Sequence, residues 1–312
     1  MDTMDSKEGD MLEYVRCNLC GADNTEPVAE IEGFHIVRCR QCGLIYVNPR
    51  YREDFLQQLY TAEYYDHDGI RNGQAFFGYE DYIADEENIR ITFAKRLRTI
   101  ERFVNKGRLL DVGCATGFFL DLARAKGWEV VGSEVSEFAA QYAREKFGLE
   151  VHLGALRQLH FSPEAFDAVT MWDVIEHVAD PMGDLQEVWR ILREGGLLSL
   201  ITPDSNSLVA RLLGKRWEEL RRVREHIYFF SRRTITEMLR RAGFEVLKIE
   251  SADKVFYLGP AMERLKYYTW DGVLTKTATH LVYKLGLDRI RININPFTKI
   301  AVYARKRPEA SL

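Results

Sequence analysis

The chain reads as an α/β protein with a doubly wound, mostly parallel sheet, preceded by a small metal-stabilised ribbon. Apolar strand-like runs alternate with amphipathic helical runs from about residue 106 onward, and alternation of this kind builds right-handed βαβ units with helices on both faces. A glycine-punctuated strand-turn-helix opens the series. Upstream, four of the five cysteines fall in two Cys-x-x-Cys pairs.

With 312 residues and a 46% hydrophobic composition, the chain can bury a substantial core. No apolar run is long enough to span a bilayer. Met1 to Asp10 is acidic and polar, so residues 1–14 are expected to form a disordered tail on a cytoplasmic protein. A net charge of -4 and a pI near 6.0 give no field that gathers a polyanion, which argues against a nucleic-acid partner.

In chain order, residues 15–50 come first. The pairs Cys17/Cys20 and Cys39/Cys42 have the two-residue gap that places both thiolates on one metal, and two such knuckles match a four-thiolate structural zinc site. The segment is too short to bury its own core, and zinc supplies the missing folding energy. Redox-active pairs are the weaker alternative, since neither precedes a helical pattern. Between the knuckles, Ala29 to Arg38 suggests a hairpin with His35 on its surface, and Gly43 to Asn48 a strand ended by Pro49. Residues 51–105 read as a tyrosine-rich lid followed by a docking helix over Ile83 to Val104.

The domain over 106–312 then runs Arg108 to Val112 (strand), a helix to Lys126, Trp128 to Ser133 (strand), a helix over Ser136 to Phe147, and strands at Glu150 to Leu153 and Ala165 to Trp172. A helix over Ile175 to Arg193, a strand at Gly196 to Thr202, a helix over Thr234 to Ala242, and strands at Phe244 to Ser251 and Thr298 to Arg305 complete it. Residues 254–296 interrupt it with an aromatic, amphipathic insertion carrying Tyr267, Tyr268 and Trp270. That insertion is expected to be a helical cap or a homodimer contact through 258–285, with a membrane-surface helix as the alternative.

The turn is Asp111-Val112-Gly113-Cys114-Ala115-Thr116-Gly117. Glycine lets a backbone approach a nucleoside closely, but the middle glycine of the dinucleotide fingerprint is missing, which argues against NAD. Cys114 reads as a small packing residue near the ligand. Some twenty residues on, Glu134 ends a strand where a carboxylate can accept hydrogen bonds from both ribose hydroxyls.

On these residues the chain resembles the class I S-adenosylmethionine-dependent methyltransferases. The resemblance implies a seven-stranded, Rossmann-like sheet closed by one antiparallel strand. It assigns to the cofactor Asp111, Gly113, Cys114, Ala115 and Gly117 of the turn, and Glu134 with Val135 after the second strand. Trp172, Asp173, Val174 and His177 would line the methionine side. Backbone groups of Ala155 and Leu156 would hold the adenine, because Leu153 to Gln158 has no acid where the family commonly has one. Tyr65, in the lid, is expected to close over the sulfonium end.

Arg224-Glu225-His226-Ile227-Tyr228-Phe229-Phe230-Ser231 is similar to the Glu-His-x-Tyr-x-Phe-Ser segment of zinc-ribbon methyltransferases acting on deoxysugars and related metabolites. His226 is therefore the first candidate base, His177 the second, with Glu225 beside them. Asp173 and His177 are four apart, so Asp173 would orient the imidazole if helix begins there. Lys215, Arg216, Arg221, Arg222 and Arg224 form a basic cluster suited to a phosphate-bearing acceptor or, more blandly, a solvated helix face. The expected activity is methyl transfer to a small-molecule or glycan-linked acceptor. An RNA methyltransferase using the ribbon, or a non-catalytic cofactor-binding subunit, are the alternatives.

Overall fold

The computed structural model describes residues 11–58, 70–71, 74–75, 82–83, 85–265, 272–295 and 297–308. Seven strands share one sheet: β1 (Arg108–Val112), β2 (Glu129–Glu134), β3 (Val151–Leu153), β4 (Phe166–Trp172), β5 (Leu192–Pro203), β6 (Phe244–Ser251) and β7 (Lys299–Lys306). Their spatial order is β3-β2-β1-β4-β5-β7-β6. β7 runs antiparallel to both neighbours and the pairs from β3 to β5 are parallel. Leu109, Leu110, Val169, Met171, Leu198 and Leu200 are buried, as continuous apolar strands covered on both faces must be.

Chain order reverses between β1 and β4, and doubly wound sheets bind ligands at the carboxyl ends of the strands at such a point. Helices Phe118–Ala125, Glu137–Phe147, Pro181–Ile191 and Arg232–Arg241 connect the strands. The helix expected from Ile175 starts later, at Pro181. Proline disfavours helix in the residue before it and suits the first helical position, while the Asp180 carboxylate accepts the Gly183 N–H at 3.0 Å. Residues 173–178 are left in turns, with Asp173 in the left-handed region at φ 56°.

Thr25–Ile31 and Phe34–Cys39 form the expected hairpin, turning through Glu32 and Gly33 at φ 50° and 80°. Ile45–Val47 adds a third strand, and Tyr228–Phe229, from far along the chain, adds a fourth. Leu19, Phe34, Ile36 and Tyr46 share one apolar core with Tyr228, Phe230, Leu198 and Leu200. The ribbon is therefore built into the larger domain. Leu12–Glu13, expected in the polar tail, pairs with Arg50–Tyr51, and the Glu13 carboxylate meets Arg50 at 3.0 Å.

Helix Glu86–Ile100 lies within the expected docking helix and packs on the sheet through Phe93, whose ring sits 5.6 Å from Phe119 and 5.1 Å from Trp172. The insertion is a two-stranded stem, Lys254–Tyr257 against Arg291–Ile294, carrying helices Leu258–Leu265 and Gly272–Lys284. The stem is tied to the docking helix: the Val255 N–H donates to Thr92 Oγ1 at 3.1 Å, and Lys95 pairs with Asp253 at 3.1 Å. Tyr65, Tyr267, Tyr268 and Trp270 lie outside the described residues. Among those described, no helix is long and apolar enough to cross a membrane.

Candidate active site

A cavity of about 230 Å³ opens at the carboxyl ends of β1, β2 and β4. Its floor is the glycine turn. Gly113 and Ala115 adopt φ 67° and 48°, and the Gly113 and Cys114 N–H groups donate to the Ser133 carbonyl at 2.8 and 3.0 Å. A Cβ on Gly113 would stand 2.7 Å from Val174 Cγ2, so glycine is needed where the first and fourth strands' loops meet. Gly117 serves a different purpose. It precedes helix Phe118–Ala125 at φ 82°, and its missing side chain makes room for Leu149 and Ala143; it does not line the cavity.

Glu134 does line the cavity, and its two carboxylate oxygens accept the N–H groups of Ala115 at 2.8 Å and Ser136 at 2.9 Å. Asp111 lies deeper, accepting the Thr170 hydroxyl. Burial pushes its carboxyl up to about 7, with Thr170 opposing and the Glu134 charge adding to the rise. Cys114, Val135, Ala155, Leu156, Trp172, Asp173, Val174 and His177 complete the part of the wall expected from the sequence.

Other lining residues had no local signal. Arg157, Asp184 and Glu53 stand beside Leu156: Arg157 reaches Asp184 at 2.8 Å, Asp180 at 3.2 Å and Glu53 at 3.8 Å. The acids missing from Leu153 to Gln158 are thus present in the wall from other elements. Tyr82, Phe93 and Arg96 close the cavity's aromatic side, with Arg96 over the Trp172 ring at 5.2 Å.

Next to the cavity sits a buried polar corner. Asp173 does not orient His177; with no helix at 173–178 it turns instead to Lys299 of β7, at 2.9 Å. Burial alone would raise Asp173, but the Lys299 ammonium holds it below the usual range; Lys299 is itself raised, against its burial, chiefly by Asp173. His177 Nδ1 lies 3.0 Å from the Glu225 carbonyl, which only accepts, so Nδ1 carries the proton. The imidazole is pushed down to about 4 by burial and by Arg222. The Glu225 carboxylate faces Arg222 at 2.9 Å and does not line the cavity.

His226 is 1% exposed and lies behind His177, ring centroids 4.5 Å apart and edge to face. It is absent from the cavity wall, which His177 lines. His226 Nδ1 is 3.3 Å from Glu219 Oε2, off the axis of a hydrogen bond. Glu176, fully buried, completes the corner; its backbone carbonyl accepts the Ile227 and Tyr228 N–H groups at 3.0 and 3.1 Å. Sequence reading missed Glu176, Glu219 and Lys299 because three separate segments supply them. The basic cluster disperses: Arg222 turns inward to Glu225, while Arg224 pairs with Glu32 of the hairpin at 3.0 Å.

In the ribbon, Cys17 and Cys42 sulfurs stand 3.4 Å apart and Cys20 and Cys39 sulfurs 3.5 Å, and all four lie within 4.8 Å of one another as free thiols. Tetrahedral zinc with bonds of about 2.3 Å would place sulfurs about 3.8 Å apart. The donor set and its convergence fit that ion.

The family model described as Methyltransferase domain matches residues 84–249, more than half of the chain. A Methanocaldococcus jannaschii protein of uncharacterised function is 29% identical over 189 residues, covering 56% of this chain and 87% of its own. The ubiquinone biosynthesis O-methyltransferase of Ruegeria pomeroyi is 35% identical over 150 residues, 44% of this chain and 60% of that enzyme. The tRNA U34 carboxymethyltransferase of Alteromonas mediterranea is 30% identical over 159 residues, 46% of this chain and 47% of that enzyme. The chain thus spans about half to three fifths of these two named enzymes. A candidate methyltransferase of Bacillus halodurans has the same fold, with a TM-score of 0.50 at 21% identity over 69% of this chain and 99% of its own.

Proposed function

Because the chain belongs to the methyltransferase-domain family, we propose that it moves the methyl group of S-adenosylmethionine to a small-molecule or glycan-linked acceptor. One observation carries this reading: a single cavity holds both the Glu134 carboxylate, fixed by two backbone N–H groups, and the His177 imidazole. The first suits a ribose diol and the second suits an acceptor that must lose a proton.

S-adenosylmethionine, when bound, supplies a methyl already activated by its sulfonium. The chain's own work is alignment, exclusion of water and proton removal. Glu134 would take the ribose, Val135 and Leu156 would flank the adenine, and Trp172 and Val174 would bound the methionine end. Glu53 or Asp184, beside Arg157 in the wall, would offer the exocyclic amine an acceptor. The acceptor's proton would leave at the corner where His177 reaches the cavity. Zinc on Cys17, Cys20, Cys39 and Cys42 is structural in this reading, since four thiolates fill its coordination.

The test is incubation with methyl-labelled S-adenosylmethionine and a panel of nucleotide sugars, lipid-linked glycans, phenols and RNA. Label is expected in a sugar or small-molecule acceptor, and label in RNA alone overturns the acceptor class. His177→Ala should slow transfer roughly 10²–10⁴-fold while cofactor binding, read by calorimetry, stays within a few-fold.

A further inference from the structure

Two buried side chains in the corner described above lack the partners that burial demands. Neither carboxylate oxygen of Glu176 and neither ring nitrogen of His226 makes a hydrogen bond among the described residues, although the two residues are 0% and 1% exposed. An unsatisfied buried polar atom costs about 1–3 kcal/mol, more for a charge, so several in one place call for a common occupant. Beside them stands His177, half-buried. With its Nδ1 proton held by the Glu225 carbonyl, Nε2 is the ring's electron-pair donor. Ligand atoms of Glu176, His177 and His226 all lie within 4.8 Å of one another.

Charge points the same way. Asp173, Glu219 and Glu225 reach Lys299 or Arg222 within 4.0 Å, whereas Glu176 has no cation within that distance among the described residues. Four carboxylates thus face two cations in direct contact, with Arg96 and Lys254 adding only a longer-range field at Asp173. Two imidazoles and a carboxylate form a donor set suited to zinc, cobalt or iron, with bonds near 2.0–2.2 Å for zinc. The carboxylate of Glu219, beside His226 at 3.3 Å, would orient that ring in the manner of outer ligands.

We propose that Glu176, His177 and His226 hold a divalent cation of the zinc or cobalt type, separate from the ribbon's four thiolates. The site rests on the methyl-transfer reading and deepens it: with its Nε2 on the ion, His177 would not take the proton itself, and the ion would ease deprotonation of an acceptor oxygen instead. Only His177 of the three lines the cavity, so an oxygen of the acceptor would approach the ion past that ring, and acceptors with a hydroxyl or enol oxygen become the favoured class.

The experiment uses the full chain with its ribbon already filled by one zinc, titrated with Co²⁺. One further equivalent is expected, seen as visible d–d absorption without the sulfur-to-cobalt charge-transfer band that thiolates give. Glu176→Gln and His226→Asn should each weaken this uptake tenfold or more, with near-UV circular dichroism checking that each variant is folded. If one variant fails to fold, the other reports the same loss. Cobalt entering only with a thiolate band, or a spectrum unchanged in a folded variant, overturns the site. Calorimetry with S-adenosylmethionine on the same samples separates the two levels. A chain that binds the cofactor but no second ion loses this proposal alone, and one that binds neither loses the reading beneath it.

Discussion

The two sides of the cleft are assembled in opposite ways. On the proposed cofactor side, Asp111 to Ala115 and Glu134 come from adjacent strand ends within one βαβ unit, and the geometry is closed by backbone N–H groups that any sequence possesses. On the proposed acceptor side, Asp173, Glu176 and His177 meet Glu219, Glu225, His226 and Lys299 from three remote segments. The segment bearing Glu225 and His226 also lends Tyr228–Phe229 to the ribbon sheet. One side is local and tied to the large sheet; the other depends on long-range docking and on the ribbon. A fault in the ribbon should therefore be felt first by the acceptor.

With zinc in the ribbon, as proposed, its removal is the largest expected perturbation. Chelation under reducing conditions should unfold the ribbon and loosen Tyr228–Phe229, reducing methyl transfer at least tenfold and lowering the melting temperature. Affinity for S-adenosylmethionine, by calorimetry, should fall by less than tenfold. It is not immune, since Asn18 between the first two cysteines donates to Asp180 at 2.8 Å and Asp180 contacts Arg157 in the cavity wall. Cofactor binding lost together with transfer would break the contrast.

Glu134→Ala is the complementary change. It removes a charged acceptor facing the proposed ribose and leaves the Ala115 and Ser136 N–H groups without that partner, so cofactor affinity should drop on the order of a hundredfold. The His177–His226 corner should be untouched, and cobalt uptake, if present, should persist.

A smaller effect probes the frame beneath both sides. The Asp111 carboxyl is raised from 3.8 to about 7 in the folded chain. Between those values the native state holds a proton that the unfolded state has released, so this group's contribution to stability declines as pH rises from about 4 to about 7. Asp111→Asn cannot titrate. Its melting temperature relative to the parent should climb across that window, by the equivalent of about 4 kcal/mol. A flat difference would show that Asp111 is ionised throughout.

Much of this was legible from residue order. The strand pattern gave the sheet, because parallel strands buried on both faces must be apolar throughout, and the knuckle spacing gave the four convergent thiols. The helix start at 175 was misplaced because periodicity was followed past Asp180-Pro181, a stronger local signal. Gly117 was assigned to the ligand when its task is close helix packing. Spacing of four suggested an Asp173–His177 pair, but a pair of that kind needs a helix that does not form there.

By itself the sequence determined whatever depends on backbone dihedrals and short periods: the glycine turn, the strand bearing Glu134, the hairpin and the cysteine knuckles. Only the tertiary structure decided which imidazole meets the cavity, that Lys299 of the last strand neutralises Asp173, and that Glu176 lies buried beside His226 without a counter-charge. The physical reason is range. Steric and hydrogen-bond rules act over a few residues, whereas charge pairing and desolvation depend on groups brought together by packing, and no spacing in the chain records who those neighbours will be.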